Sequence, residues 1–194
     1  MGFRTISHRM AAVSCSNMGP RQRGYSLIEA MILITLIAIL AAIAVAPFNT
    51  LVASARQDAE INEMLTFLHL ARSEATKQRQ KTVICASNDG VSCQDSSQWS
   101  KGYLMFVDHD GDRDHSGDET VLRQHRTDTG IQIHTTSGRR TISYQPDGSS
   151  TGSNLTITFC DAAGAIPPKA VIVANTGRAR VATSLSDGSA PGCG

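Results

Sequence analysis

Residues 21–48 read RQRGYSLIEAMILITLIAILAAIAVAPF, a short basic patch followed by a glycine and a long apolar run. The run from Ala30 to Phe48 has Thr35 as its only interior polar residue, and it is near the length needed to span about 30 Å of hydrocarbon. Glu29 stands at its start, although an ionised carboxylate costs about 3 kcal/mol inside a membrane. An acid in this place indicates a function, and the partner we infer for it is a new amino terminus made by cleavage after Gly24.

This segment resembles the type III signal of type IV pilins and type II secretion pseudopilins, carried here by Gly24 and the following residues YSLIE. The resemblance implies that a prepilin peptidase cuts after Gly24 and that the new terminus at Tyr25 is N-methylated. It also implies that Glu29 pairs with the terminal amine of a neighbouring subunit in a helical filament. A plain secretory signal or a single-span anchor is the alternative, but it leaves Glu29 unexplained.

The sequence predicts four segments. They are a prepilin leader over 1–24, a transmembrane and assembly helix over 25–48, an amphipathic helix over 49–80, and an antiparallel β domain over 81–194. Pilin-type leaders resemble short basic peptides, and residues 18–24 would form one, so Met18 is an alternative to Met1 as the first residue.

Hydrophobic periodicity supports this division. Apolar residues recur at three- and four-residue spacing, which predicts one apolar helix face: Ile61, Met64, Leu65, Leu68, Ala71 and Ala75. We expect Pro47 to bend or end the helix. Beyond Lys81 a period of two predicts strands, at 82–86, 102–107, 120–125, 131–135, 141–145, 155–160, 170–174 and 178–182. Turn signals without intervening helices favour antiparallel sheet.

The charge balance limits the possible functions. The chain has 18 basic and 17 acidic residues, and removing a leader with four arginines leaves 14 basic residues and a net charge of −3. Overall charge therefore gives no support for nonspecific nucleic-acid binding, which would need a local patch. After Gly130 there are five basic residues against three acidic ones. No hydrolase, metalloprotease or phosphate-loop motif is present, so we expect no enzyme. A single-span secreted enzyme remains the alternative class.

Four cysteines lie beyond the leader: Cys85, Cys93, Cys160 and Cys193. An even number fits an oxidising compartment and two disulfides, for which three pairings are possible. We favour Cys85–Cys93, which closes a short loop, and Cys160–Cys193, which ties down the tail. A zinc site is the alternative, but the sequence has no CxxC spacing and no histidine close to the cysteines.

Residues 108–119 form an acidic loop, DHDGDRDHSGDE. Oxygen ligands at alternate positions and a glutamate at the twelfth suit calcium. The candidate ligands are Asp108, Asp110, Asp112, Asp114 and Glu119. Arg113 stands where an EF-hand has glycine, and the flanks are predicted strands. The alternative is a solvated hairpin loop in which the acidic side chains stabilise turns by hydrogen bonds to the backbone. Calcium is the only cofactor that the sequence suggests.

The segment Gly177-Arg178-Ala179-Arg180 places two arginines one residue apart on a predicted strand, so they point to the same face. Arginine forks match phosphate oxygens in a bidentate manner. Lys169, Arg139 and Arg140 would widen this patch if the sheet brings them near. The alternative is an exposed strand whose charges discourage edge pairing.

Several stretches resemble the GspH/FimT family: LARSEA at 70–75, WSKGY at 99–103, FVD at 106–108, PDG at 146–148 and TGRAR at 176–180. The resemblance implies an α+β, type IV pilin-like fold, with a long N-terminal helix packed on a C-terminal antiparallel β domain. It implies a minor pilin or pseudopilin that joins other such subunits in a filament, with a single span in the bacterial inner membrane and a periplasmic domain.

Two functions compete within this family. The arginine segment resembles the GRxR motif of the FimT branch, which is linked with DNA capture during natural transformation. The alternative is an H-type minor pseudopilin of the type II secretion system, which has no nucleic-acid role.

Overall fold

A computed structural model describes residues 24–193 of the chain. The predicted leader lies outside the described residues except for Gly24, and so do both candidate first residues and Gly194. The chain divides into two compact units, Met1–Ile43 and Ala44–Gly194.

A single helix, α1, covers Leu27–Gln78. Its first turn is closed by the Ser26 carbonyl, which accepts hydrogen bonds from the amides of Glu29 and Ala30 at 3.0 and 3.1 Å. Arg79, at φ 54°, leaves the helical conformation at the other end. The backbone is helical across Pro47, so this proline does not end the helix; the other expectation, that it bends the helix, stays a prediction. Proline removes one backbone donor, and the neighbouring hydrogen bonds can continue the helix around it.

In the first unit, every side chain from Gly24 to Ala41 is exposed. The Thr35 hydroxyl donates to the Ile32 carbonyl at 2.8 Å, so this polar group is satisfied within the helix. The predicted span 25–48 includes residues 42–47, whose side chains lie outside the description. Within the described residues, no helix is long and apolar enough to cross a membrane.

The second unit carries the β structure. Its strands in the described residues are β1 Lys81–Ala86, β2 Gly102–Asp108, β3 Val121–Arg126, β4 Ile131–Thr135, β5 Thr141–Tyr144, β6 Leu155–Asp161, β7 Lys169–Val173 and β8 Ala179–Ala182. Each end falls within one residue of the prediction. All pairings are antiparallel, in a first sheet of order β3-β2-β1-β5 and a second sheet of order β4-β6-β7-β8.

The main core joins the second half of α1 to both sheets. The predicted helix face is buried except for Leu65, which is partly buried, and Phe67, which the apolar spacing did not include, is buried with it. Ile84 and Met105 from the first sheet and Ile133 and Phe159 from the second belong to the same apolar cluster. Each such side chain contributes about 2 kcal/mol by its removal from water. The helix and the sheets therefore stabilise one another within this unit.

Candidate functional site

The start of α1 presents an acid, Glu29, that has no partner among the residues that the structure describes. Tyr25 is 79% exposed, and Glu29 lies in the first helical turn among exposed apolar side chains. Within residues 24–193, the Glu29 carboxylate has no hydrogen bond and no ion pair. The carboxylate is therefore free to accept a cationic group that another chain supplies.

The predicted arginine segment begins in a tight turn between β7 and β8. The Ala174 carbonyl accepts the amide of Gly177 at 2.8 Å, and the amide of Ala174 donates to the Arg178 carbonyl at 3.0 Å. Gly177 has φ 76°, and a Cβ at this position would collide with the carbonyl oxygen of Gly148. Glycine is therefore required both for the backbone conformation and for the close approach of the two turns.

Arg180 projects from the outer face of the second sheet, and Arg178 lies directly before β8. Arg180 is paired with Ile172 on β7, whereas Val171 and Val173 point the other way into the core. Both arginines are exposed, and β8 is an edge strand. In the described part of the chain, neither guanidinium makes a hydrogen bond or an ion pair. Each keeps its full charge and its donors for an external anion.

Two of the other predicted patch residues lie elsewhere or are neutralised. Lys169 is three residues from Ile172 along β7, so its side chain lies on the opposite face from Arg180. Its Nζ contacts the Asp58 carboxylate at 2.5 Å. Arg140 is paired with the Asp95 carboxylate. The structure therefore does not bring Lys169 to the arginine pair, and it compensates the charge of Arg140.

Arg139 is better placed. Its guanidinium donates to the Gly152 carbonyl at 2.5 Å, and no carboxylate in the described residues pairs with it. It follows the end of β4, which lies at the same end of the second sheet as the start of β8. Three inter-strand spacings of ~4.8 Å separate these two strands, about 14 Å in total. We call Arg139, Arg178 and Arg180 the arginine patch.

The acidic loop joins β2 to β3. The carboxylates of Asp108, Asp110 and Asp112 each offer an oxygen, and these oxygens lie within 4.8 Å of one another. Glu119 is engaged differently, since its two oxygens accept the amides of His109 and Ser116 at 2.8 and 3.1 Å. The structure therefore brings together three of the five predicted calcium ligands.

Asp114 is the other predicted ligand outside this trio. Its Oδ1 accepts the amide of the next residue, His115, at 2.9 Å. The imidazole of His115 in turn packs edge-on against Phe106 of β2, with 5.3 Å between the ring centroids. The second half of the loop is therefore attached to the outer face of the first sheet.

The four cysteines form the two disulfides that we favoured. The Cα atoms of Cys85 and Cys93 are 5.6 Å apart, and those of Cys160 and Cys193 are 5.9 Å apart. The first bond covers the small apolar cluster on the outer face of the first sheet. The second attaches the C-terminal segment to β6. None of these four, which are the cysteines of residues 24–193, is a free thiol, so none of them can bind zinc.

A polar cluster that was not predicted from the sequence lies between α1 and β3. The buried Glu60 carboxylate accepts hydrogen bonds from the hydroxyls of Thr127 and Thr129 at 2.9 and 3.1 Å and lies 3.2 Å from Nε2 of His125. Arg123 pairs with Glu63 at 2.7 Å. Arg123 and His125 are one residue apart on a strand, and this spacing is the only sequence signal that could have indicated a shared face.

Comparison with known families gives two matches. The family model described as Type II transport protein GspH matches residues 60–177, more than half of the chain. The model of the prokaryotic N-terminal methylation motif matches residues 19–45. Comparison with curated proteins gives no match.

Three solved structures are similar in fold. Two are crystal structures of the type IV minor pilin FimU from Pseudomonas aeruginosa strain PAO1. The first has 20% identity and a TM-score of 0.47, and the match covers 68% of this chain and 90% of that chain. The second has 17% identity and a TM-score of 0.46, and the match covers 68% of this chain and 85% of that chain. The third is the minor pseudopilin EpsH from the Type 2 Secretion System of Vibrio cholerae, with 12% identity, a TM-score of 0.48 and coverage of 66% and 96%.

Proposed function

Because this chain belongs to the GspH family of type II transport proteins and carries the N-terminal methylation motif, we propose that it is a minor subunit of a pilus-like filament. A prepilin peptidase cuts after Gly24, and the amine of Tyr25 is methylated. Residues 25–48 hold the chain in the inner membrane before assembly, with the β domain in the periplasm. Two disulfides are consistent with that oxidising compartment.

The unpaired Glu29 carries this proposal. It stands four residues after the new terminus, among exposed apolar side chains that would be buried in a helical bundle. The amine of Tyr25 from a neighbouring subunit neutralises the carboxylate. This pairing removes the cost of an isolated charge in an apolar environment and fixes the register between subunits.

Processing and assembly can be tested separately. Mass spectrometry of the protein from its host should give a chain that starts at methylated Tyr25, and an intact leader or another cleavage site would overturn the proposal. Glu29→Ala should keep membrane insertion and lose incorporation into filaments. Glu74→Ala, at the far end of α1, removes the same charge and should assemble normally. Normal assembly of the Glu29 variant would contradict the pairing.

We further propose that the arginine patch binds the DNA backbone. Both arginines are exposed, Arg180 on the edge strand β8 and Arg178 directly before it. They lack acidic partners among the described residues, so their guanidinium groups match phosphate oxygens. Arg139 adds a third contact at the same end of the sheet. Contacts of this kind position DNA without reading its sequence, with dissociation constants of about 10⁻⁴ to 10⁻⁶ M.

Gel shifts with the full-length protein in detergent test this binding. Replacement of Arg178 and Arg180 with glutamine should abolish retention at low salt. The matched control is Lys169→Gln with Arg140→Gln, which removes the same charge from residues already paired with Asp58 and Asp95. This control should bind as the wild type does. The wild type should lose affinity with rising salt at a logarithmic slope of about −3, one unit per phosphate contact.

The second candidate is an H-type minor pseudopilin without a nucleic-acid role. The net charge of −3 after loss of the leader favours it, as do the acidic partners of Lys169 and Arg140. No DNA retention by the wild type would support this candidate. Equal retention by the wild type and the Arg178/Arg180 variant would contradict the arginine patch as the binding site. Neither result would affect the filament role, because cleavage and assembly are measured independently.

A further inference from the structure

The filament role does not use a buried carboxylate at the end of β2. Asp108 is 3% exposed, and its side chain has no exposed surface. Its Oδ1 accepts the amide of Gly111 at 2.7 Å. Its Oδ2 is buried and has no hydrogen-bond partner in the part of the chain that the structure describes. The ammonium group of Lys81 stands 3.9 Å from Oδ2, beyond hydrogen-bond range.

This environment favours a cation at Oδ2. A buried carboxylate loses its hydration, and it is stable only when hydrogen bonds or a close cation replace the water. One oxygen of Asp108 accepts a single hydrogen bond, and the other oxygen has only the Lys81 ammonium group, which is 3.9 Å away. The Asp108 carboxylate forms a trio with those of Asp110 and Asp112.

Asp110 and Asp112 complete an oxygen cluster around this position. Both are exposed, and no basic side chain of the described residues pairs with either of them, so three carboxylates stand together and repel one another. Oxygens bound at about 2.4 Å to a single calcium ion can stand up to ~4.8 Å apart. The oxygens of the trio lie within 4.8 Å of one another, a separation that matches this requirement.

We propose that the loop 108–119 binds one calcium ion, with Asp108, Asp110 and Asp112 as carboxylate ligands. Glu119 is a positioning residue in this site. It is 8% exposed, and its oxygens hold the amides of His109 and Ser116, which closes the loop around the trio. The ion stabilises the connection between β2 and β3 by neutralising the trio.

Calorimetry tests the site directly. The full-length protein in detergent is treated with a chelator, exchanged into chelator-free buffer and titrated with calcium chloride or magnesium chloride. We expect one calcium ion per chain with a dissociation constant of about 10⁻⁵ to 10⁻³ M, and weaker binding of magnesium, which dehydrates reluctantly. Calcium should also raise the melting temperature, because only the folded loop assembles the ligands.

Paired variants make the test specific. Asp110→Asn with Asp112→Asn should abolish calcium binding while Asp108 stays intact. Asp118→Asn with Asp128→Asn removes the same charge from exposed residues outside the trio and should bind as the wild type does. The proposal is overturned if ~10 mM calcium gives neither heat nor a higher melting temperature, if the trio variant still binds, or if magnesium binds equally well.

Discussion

Nε2 of His125 on β3 lies 3.2 Å from Oε2 of Glu60 on α1, and the other oxygen of Glu60 accepts two hydroxyl hydrogen bonds from Thr127 and Thr129. Glu60 is 4% exposed. A single buried acid therefore joins the helix to β3 and to the loop that follows it. An ionised acceptor with several donors is a strong attachment, but it becomes costly when one partner is lost.

Replacement of Glu60 with alanine should lower the free energy of unfolding by about 3–4 kcal/mol, because His125 and both hydroxyls lose their buried acceptor. Urea unfolding of the full-length protein measures this loss. Glu63→Ala is the matched control. Glu63 pairs with Arg123 at 2.7 Å but is more exposed, so its loss should cost about 1 kcal/mol. Equal losses of unfolding free energy in the two variants would contradict the greater contribution that we assign to the buried Glu60.

Gly177 and Gly152 separate backbone strain from steric collision. Both have positive φ, 76° and 75°, but a Cβ on Gly177 would collide with the Gly148 carbonyl, whereas nothing lies within 4 Å of a Cβ on Gly152. Gly152→Ala should cost about 1 kcal/mol, the price of a non-glycine residue in this conformation. Gly177→Ala should cost about 3 kcal/mol, because the two turns must also move apart. Similar losses of unfolding free energy in the two variants would show that the backbone near Gly148 moves aside at little cost.

The burial of Tyr144 should make the protein less stable at alkaline pH. It is fully buried on β5, and burial raises the pKa of its phenol to about 12, although Arg72 opposes the shift. An unfolded tyrosine has a pKa of about 10. As the pH rises from 10 to 12, the unfolded chain loses this proton first, so stability present below pH 10 falls by about 1.4 kcal/mol per pH unit.

Tyr144→Phe should remove the fall in stability that the Tyr144 phenol causes at alkaline pH. The difference in unfolding free energy between wild type and variant should change by about 2–3 kcal/mol between pH 9 and 12. At neutral pH the variant should be as stable as the wild type or more stable, because the buried hydroxyl has no hydrogen-bond partner among the described residues. Tyr25→Phe, at a position 79% exposed, is the control and should leave the pH profile unchanged.

Strand positions could be predicted because alternation and turn residues are local properties of the sequence. The division of the strands into two sheets could not be predicted from the sequence. Consecutive strands β4 and β5 lie in different sheets, and β5 returns to pair with β1 through Thr82 and Tyr144. That choice depends on which faces the helix covers and on contacts between residues far apart in the sequence. Hydrophobic spacing does not contain this information.

The candidate sites divide in the same way. The two-residue period of a strand predicts a shared face for Arg178 and Arg180, although β8 itself begins at Ala179. The pairing of Lys169 with Asp58 depends on how α1 packs on the second sheet, so the arginine patch is smaller than we expected. Glu60 lies directly before an apolar residue of the helix, and its spacing alone favours a solvent-exposed acid. Only the position of β3 explains its burial.

The C-terminal end of α1 offers a stabilising substitution. Arg79 is exposed at φ 54°, a conformation that costs about 1 kcal/mol for a residue with a Cβ and that glycine adopts freely. Arg79→Gly should raise the unfolding free energy by about 0.5–1 kcal/mol, as a higher urea midpoint with an unchanged slope. Arg79→Ala removes the same charge but keeps the Cβ, so it should give no gain. An equal gain in both variants would assign the effect to the lost charge and not to the backbone conformation.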